Sequence, residues 1–201
     1  MIIFASQHNI MDTITTFSKM AFADIEHACT TPDVHHINPG VDSLEFGYLD
    51  ADDEMREIAN YIVGKIASKE RVEVDRIKFL YTSKPKKEGG RNVAGYLISR
   101  SDIERIVDDR YDYVICVYYH AWKDFDAKTK VIQLDKLMCG IEVEVDMNEK
   151  RNVKKNQTDI REFQENINYF GATEVITSSE IVDLAVASAM DQVKNEKKNR
   201  D

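Results

Sequence analysis

The chain has 201 residues, of which 43% are apolar and 31% charged, and its net charge is −9. That is enough apolar content for a folded domain and too little net charge per length for a disordered one. The acidic balance argues against a non-specific binder of nucleic acid or anionic membrane, since both need a positive face.

Lys and Arg are interspersed with Asp and Glu almost throughout, so solubility accounts for the acidity. Three widely separated cysteines, Cys29, Cys116 and Cys139, with no C-x-x-C, fit free thiols in a reducing compartment. The start Met1-Ile-Ile-Phe-Ala has neither the basic region nor the long apolar region of a signal peptide. No apolar run approaches the about 18 residues of a membrane span. These features point to the cytosol.

In chain order, Ile10, Ile14, Phe17, Met20 (or Ala21), Ile25 and Ala28 recur at steps of three and four and predict a helix over 9–29. Residues 30–50, with two prolines, Gly40 and Gly47, read as a loop with a short strand near 43–48. Asp52 or Asp53 is a candidate cap for a helix to about Ser68, whose stripe is Met55, Ile58, Ala59, Ile62, Val63 and Ile66. Residues 74–82 read as a strand, 83–92 as a turn or hairpin tip around Gly89-Gly90, and 93–99 as a second strand. Ser101 caps a short helix to Asp108, with Glu104 at the reciprocal position of a capping box. Residues 111–119 are β-branched and aromatic, the composition of a buried strand.

Asp124 or Asp126 begins a long helix whose stripe Val131, Leu134, Met138 and Ile141 faces the sheet. Residues 142–157 are charged and read as irregular. A helix over 159–170 ends at Gly171. Ser178 or Ser179 caps a final helix that packs through Ile181, Leu184, Ala185, Ala187, Ser188 and Met190, and 194–201 form a polar tail. The order implies an α+β fold, a small sheet packed against helices. It divides into an N-terminal helix and linker over 1–50, a domain over 51–175, and a C-terminal helix and tail over 176–201.

One stretch carries a resemblance. Tyr111-Asp112-Tyr113-Val114-Ile115 leads to Ala121-Trp122; Leu134-Asp135-Lys136-Leu137-Met138-Cys139-Gly140 follows, and Thr158-Asp159-Ile160-Arg161-Glu162-Phe163 comes eighteen residues beyond Gly140. In order and spacing this resembles the phage metallopeptidase family of zincin-like proteins, over roughly residues 52–172. There the matching pieces read Asp-His-Glu-Leu-Cys-His and His-Asp-Val-Glu-Glu-Phe. The resemblance implies a zincin-like sheet, a zinc helix and a phage or prophage origin.

The departures fall on the chemical positions. The family's first histidine corresponds to Lys136, its glutamate to Leu137, its second histidine to Gly140 and its third ligand to Thr158. An ammonium repels a metal ion, glycine has nothing to coordinate with, and leucine cannot take a proton from a metal-bound water. The resemblance therefore implies a degenerate member with no catalytic residue, no metal and no cofactor. Lys136, Leu137, Gly140 and Thr158 then mark a vacated surface.

Other candidates have ordinary explanations. Asp135 and Cys139 share a helix face and, with His120, offer the pieces of a relocated hydrolase site; a buried thiol beside a helix polar residue is the better explanation. His35-His36, near His27 and Asp33, lie in a proline-bearing loop with no second ligand pair at zinc-finger spacing. The loop from Lys84 to Arg91 is basic and Gly-containing, but no G-K-[ST] follows and no helix opens there.

The expectation that unites these readings is a non-catalytic cytosolic protein of the host cell that binds a host or phage protein, such as a defence or regulatory factor. Neither nucleic acid nor membrane is expected as a partner, and a homodimer is open. The alternatives are a hydrolase with relocated residues and an acidic mimic of nucleic acid.

Overall fold

The computed structural model describes residues 47–66, 69, 72–147, 151–156 and 164–199. The helix expected over 9–29, most of the 30–50 loop, His27, Asp33, His35, His36 and Thr158 lie outside the described residues. In chain order the elements are β1 (Tyr48–Asp50), α1 (Asp52–Lys65), a 3-10 turn (Val74–Arg76), β2 (Ile77–Thr82), β3 (Lys86–Glu88), β4 (Arg91–Val93), β5 (Gly95–Ser99) and α2 (Asp102–Val107). There follow β6 (Tyr113–Tyr118), α3 (Tyr119–Trp122), α4 (Ala127–Cys139), β7 (Ile141–Val145), β8 (Arg151–Lys155), α5 (Gln164–Phe170) and α6 (Ala172–Lys198).

The main sheet has the order β1-β2-β6-β5. β2 and β6 run parallel with Phe79 opposite Ile115, while β1 and β5 are antiparallel edges. Alternation along the strands sends Ile77, Phe79, Ile115, Val117 and Leu97 to one face, and all are buried. α1 and α4 cover that face. α1 contributes Met55, Ile58, Ala59, Ile62 and Ile66, with Val63 at the margin, as its periodicity predicts. α4 contributes Val131, Leu134 and Met138. The result is the expected α+β fold, a small sheet against helices with a long C-terminal helix.

Glu54 joins these layers. Its carboxylate accepts from the Tyr81 hydroxyl at 2.6 Å, Lys130 Nζ at 2.6 Å and the Trp122 indole at 3.3 Å. The buried Trp122 thus anchors α3 to α1 and α4.

Several local expectations are corrected. α1 has Ala51 at its N-cap, which carries no side-chain acceptor; its N–H is bonded to the Phe79 carbonyl, so the helix starts directly off the sheet edge. Residues 74–76 form a 3-10 turn instead of strand: Arg56 donates to the Val74 and Ile77 carbonyls at 3.0 and 3.2 Å and bends the chain there. The basic loop, by contrast, is the expected hairpin tip, in which β3 and β4 pair and turn on Gly89 (φ 56°) and Gly90 (φ 84°). It is tethered to α6, because the Asn92 N–H and Nδ2 both donate to Asp183 Oδ1, at 2.9 and 2.8 Å.

β7 and β8 also pair antiparallel, where irregular chain is expected over 142–157. Ile141, Val143 and Val145 alternate with Glu142 and Glu144, Val143 faces Val153, and Lys154 pairs with Glu144 at 2.6 Å. The Tyr113 hydroxyl clamps this pair of strands. It lies 2.5 Å from the Glu142 carbonyl and 2.7 Å from the Lys154 carbonyl, and accepts the Glu142 N–H at 3.1 Å.

α6 starts six residues before the expected cap. Gly171, at φ 89°, separates α5 from α6, a conformation that favours glycine. Ser178 is buried inside the helix, 2.9 Å from Gln133 Nε2. The inward face is Val175, Val182, Val186 and Ala189, so Ile181 and Leu184 of the expected stripe are exposed. Helix continues to Lys198 through most of the expected polar tail.

Candidate functional site

α4 is the helix on which a zincin would carry its ligands. Asp126 caps it by accepting the Thr129 N–H at 2.7 Å, the second of the two expected caps. Val131, Leu134 and Met138 bury one side, so packing alone explains why the helix persists. Lys136 and Leu137 are half-buried on the last turn.

Gly140 follows at φ −74°, an ordinary right-handed conformation that any residue adopts. What restricts this position is space. A Cβ built on Gly140 would lie 2.9 Å from Leu97 Cδ2 and 3.3 Å from the Leu137 carbonyl oxygen. Leu97 is a buried residue of β5, so the place of the second family histidine is filled from the sheet side. The Gly140 carbonyl also accepts the Asn156 N–H at 2.9 Å, which ties the base of the β7–β8 pair to the helix end.

These residues do not fit a zinc ion. Lys136 and Leu137 offer no metal donor, and Gly140 has neither a donor nor room for one. Among the described residues no three His, Cys, Asp or Glu side chains are grouped to hold a metal.

The two polar residues that the resemblance retains on α4, Asp135 and Cys139, turn the other way, into a buried cluster that periodicity does not reveal. Lys69 Nζ lies 3.0 Å from Cys139 Sγ, 3.0 Å from Glu165 Oε2 and 3.9 Å from Asp135 Oδ1. Asn166 Nδ2 donates to Asp135 Oδ2 at 2.7 Å and to the Ile132 carbonyl at 3.3 Å, and the Cys139 thiol is 3.8 Å from Asp135 Oδ2. Lys69, Asp135 and Asn166 are 2%, 1% and 0% exposed.

Burial works against the Lys69 charge, but Asp135, Cys139 and Glu165 together outweigh it and hold the ammonium above its ordinary value. Burial raises the Asp135 carboxyl, with Lys69 and Asn166 opposing. Burial, reinforced by Asp135, pushes the Cys139 thiol up to about 12. A thiol so placed stays protonated near neutral pH and is no nucleophile. The cluster joins α4, α5 and the segment after α1 as a structural cross-link.

His120 is elsewhere: it is buried with its ring edge-on to Tyr118 and Tyr119, at 5.5 and 5.7 Å between centroids. The trio Asp135, Cys139 and His120, considered as a relocated site, is therefore replaced by Asp135, Cys139, Lys69, Glu165 and Asn166. Lys69 was not legible as a buried residue, because one lysine at a helix end carries no pattern.

No curated protein and no solved structure matches the chain. A family model does, over residues 47–189, wider at both ends than the stretch that carries the motif resemblance. The match covers well over half of the chain, includes the sheet, α4 and most of α6, and is that of the family described as "Putative phage metallopeptidase", to which this chain belongs.

Proposed function

We propose that this chain is a non-catalytic member of its family, made by a phage or prophage, that works in the host cytosol by binding another protein. The observation that carries the reading is at Gly140, where Leu97 fills the space a second histidine would need. Lys136 and Leu137 support it, since neither can take up the role of the ligand or the base at its position. The positions of Lys136, Leu137, Gly140 and Thr158 then carry no ligand chemistry, and a role in binding another protein is what remains for the scaffold. Inhibition of a host defence or regulatory factor is the use that suits a small phage protein with no chemistry of its own.

The test is elemental analysis of native, untagged protein, together with a peptidase assay with and without a chelator. The expected result is substoichiometric zinc and no chelator-sensitive hydrolysis. Stoichiometric zinc with hydrolysis that a chelator abolishes would overturn the reading.

A further inference from the structure

The helix α2 is built inside out. Ser101 and Glu104 complete a capping box: Ser101 Oγ accepts the Glu104 N–H at 3.3 Å, and the Ser101 N–H donates to Glu104 Oε2 at 2.7 Å. Arg100 donates to the carbonyls of Asp108 and Tyr111, both at 2.8 Å, and to that of Glu104. Arg105 turns inward, pairing with Asp102 and lying 3.9 Å from Asp112, a buried carboxylate that Arg76 also holds at 2.7 Å.

The polar side of α2 is thus its attached side. Its apolar residues, spaced i, i+3 and i+4, all point to solvent: Ile103, Ile106 and Val107 are 75%, 84% and 82% exposed. No residue of α2 is buried. A six-residue helix does not persist on propensity, so the cap and the guanidinium contacts are what hold it. Covering such side chains is favourable, because it removes apolar surface from water.

The rim of the stripe is anionic. Asp102, Glu104 and Asp109 are exposed; Arg100 is directed to main-chain carbonyls, the largely covered Arg105 lies between Asp102 and the buried Asp112, and the exposed Arg110 folds back on Asp108 at 2.9 and 3.0 Å. Because the helix is already ordered, a partner that covers it has little conformational entropy to remove.

We propose that Ile103, Ile106 and Val107 form a docking surface for a protein segment that presents aliphatic side chains flanked by Lys or Arg. This rests on the reading of the chain as a protein-binding member of its family, and it assigns the contact to α2 instead of the surface around Lys136 and Gly140.

The test uses the full chain and two short fluorescent peptides of the same amphipathic pattern, one of Leu and Lys and one of Leu and Glu. The Leu/Lys peptide is expected to bind, and Ile103→Ser with Ile106→Ser, which leaves the net charge unchanged, should weaken it at least about tenfold. Ile181→Ser with Leu184→Ser, which removes exposed apolar residues of α6, should leave the affinity unchanged. All three proteins should keep the same thermal midpoint, since the changed side chains lie on the surface.

Equal binding by the wild-type chain and the Ile103/Ile106 variant would overturn the proposal. So would tight binding of the Leu/Glu peptide, or a wild-type dimer that the variant dissociates, because the stripe would then serve another copy of the chain. Chelator-sensitive hydrolysis would sink the non-catalytic reading and leave the peptide result standing, so the two failures are separable.

Discussion

Replacing Lys69 with methionine removes the ammonium from the buried cluster while keeping most of the side chain's length and apolar bulk. The loss falls unequally on its partners. Glu165 is 39% exposed in its side chain and can be rehydrated, whereas Asp135 is 1% exposed and cannot. Removing one member of a buried ion pair costs about 3–5 kcal/mol. Asp135 can escape part of this by taking up a proton, so the expected cost is at the low end, about 3 kcal/mol near pH 7.

The sign of the pH dependence follows from the same group. Burial already raises the Asp135 carboxyl above its ordinary 3.8, and without Lys69 it rises further. The folded variant then binds a proton that its unfolded state lacks, so its stability gains relative to wild type as pH falls from about 7 to about 5. Urea unfolding of both proteins at the two pH values measures the difference. Asp135→Asn added to Lys69→Met should recover part of the loss near pH 7. A deficit under about 1 kcal/mol, or one that neither pH nor Asp135→Asn changes, would refute an ion pair at the centre of this cluster.

Cys139 makes a separate prediction at alkaline pH. Its thiol stands at about 12 against an ordinary 9.0, so over that interval the unfolded chain has released a proton that the folded chain keeps. Stability should fall by roughly 1.4 kcal/mol per pH unit from this group, and Lys69, also raised, acts in the same sense above 10.5. Cys139→Ala should flatten the decline in urea midpoint above about pH 9. Gly140→Ala should cost about 1–3 kcal/mol by overpacking against Leu97, and Leu97→Val in the same chain should relieve part of it in chemical denaturation. Tyr113→Phe should cost about 0.5–1.5 kcal/mol, because part-buried main-chain groups of Glu142 and Lys154 lose a shared partner. Its specific sign would be faster amide exchange confined to β7–β8.

Much of the scaffold is legible in the chain because it depends on short-range periodicity. The stripe of α1, the Ser101–Glu104 box and the α4 face of Val131, Leu134 and Met138 follow from spacings of three and four residues, and β6 from its β-branched and aromatic composition; Ile141, expected on the α4 stripe, begins β7 instead. The misreadings share a cause. β7 was hidden by its glutamates, although its valines alternate, and the inward face of α6 was hidden because small residues lie on several of its sides. Ser178 resembled a cap but lies within the helix, where its hydroxyl meets Gln133.

The sequence by itself determined the family and the loss of ligand chemistry, since Lys136, Leu137 and Gly140 differ from metal ligands and base in composition, whatever their positions in space. Only the tertiary structure decided what became of the neighbouring residues. Leu97, forty-three residues before Gly140, closes the second ligand position. Lys69, far from α4 in sequence, explains Asp135 and Cys139, and the polar side of α2 is its attached side. Each of these depends on which distant side chain arrives within van der Waals or hydrogen-bond distance, and that is set by the packing of the elements together.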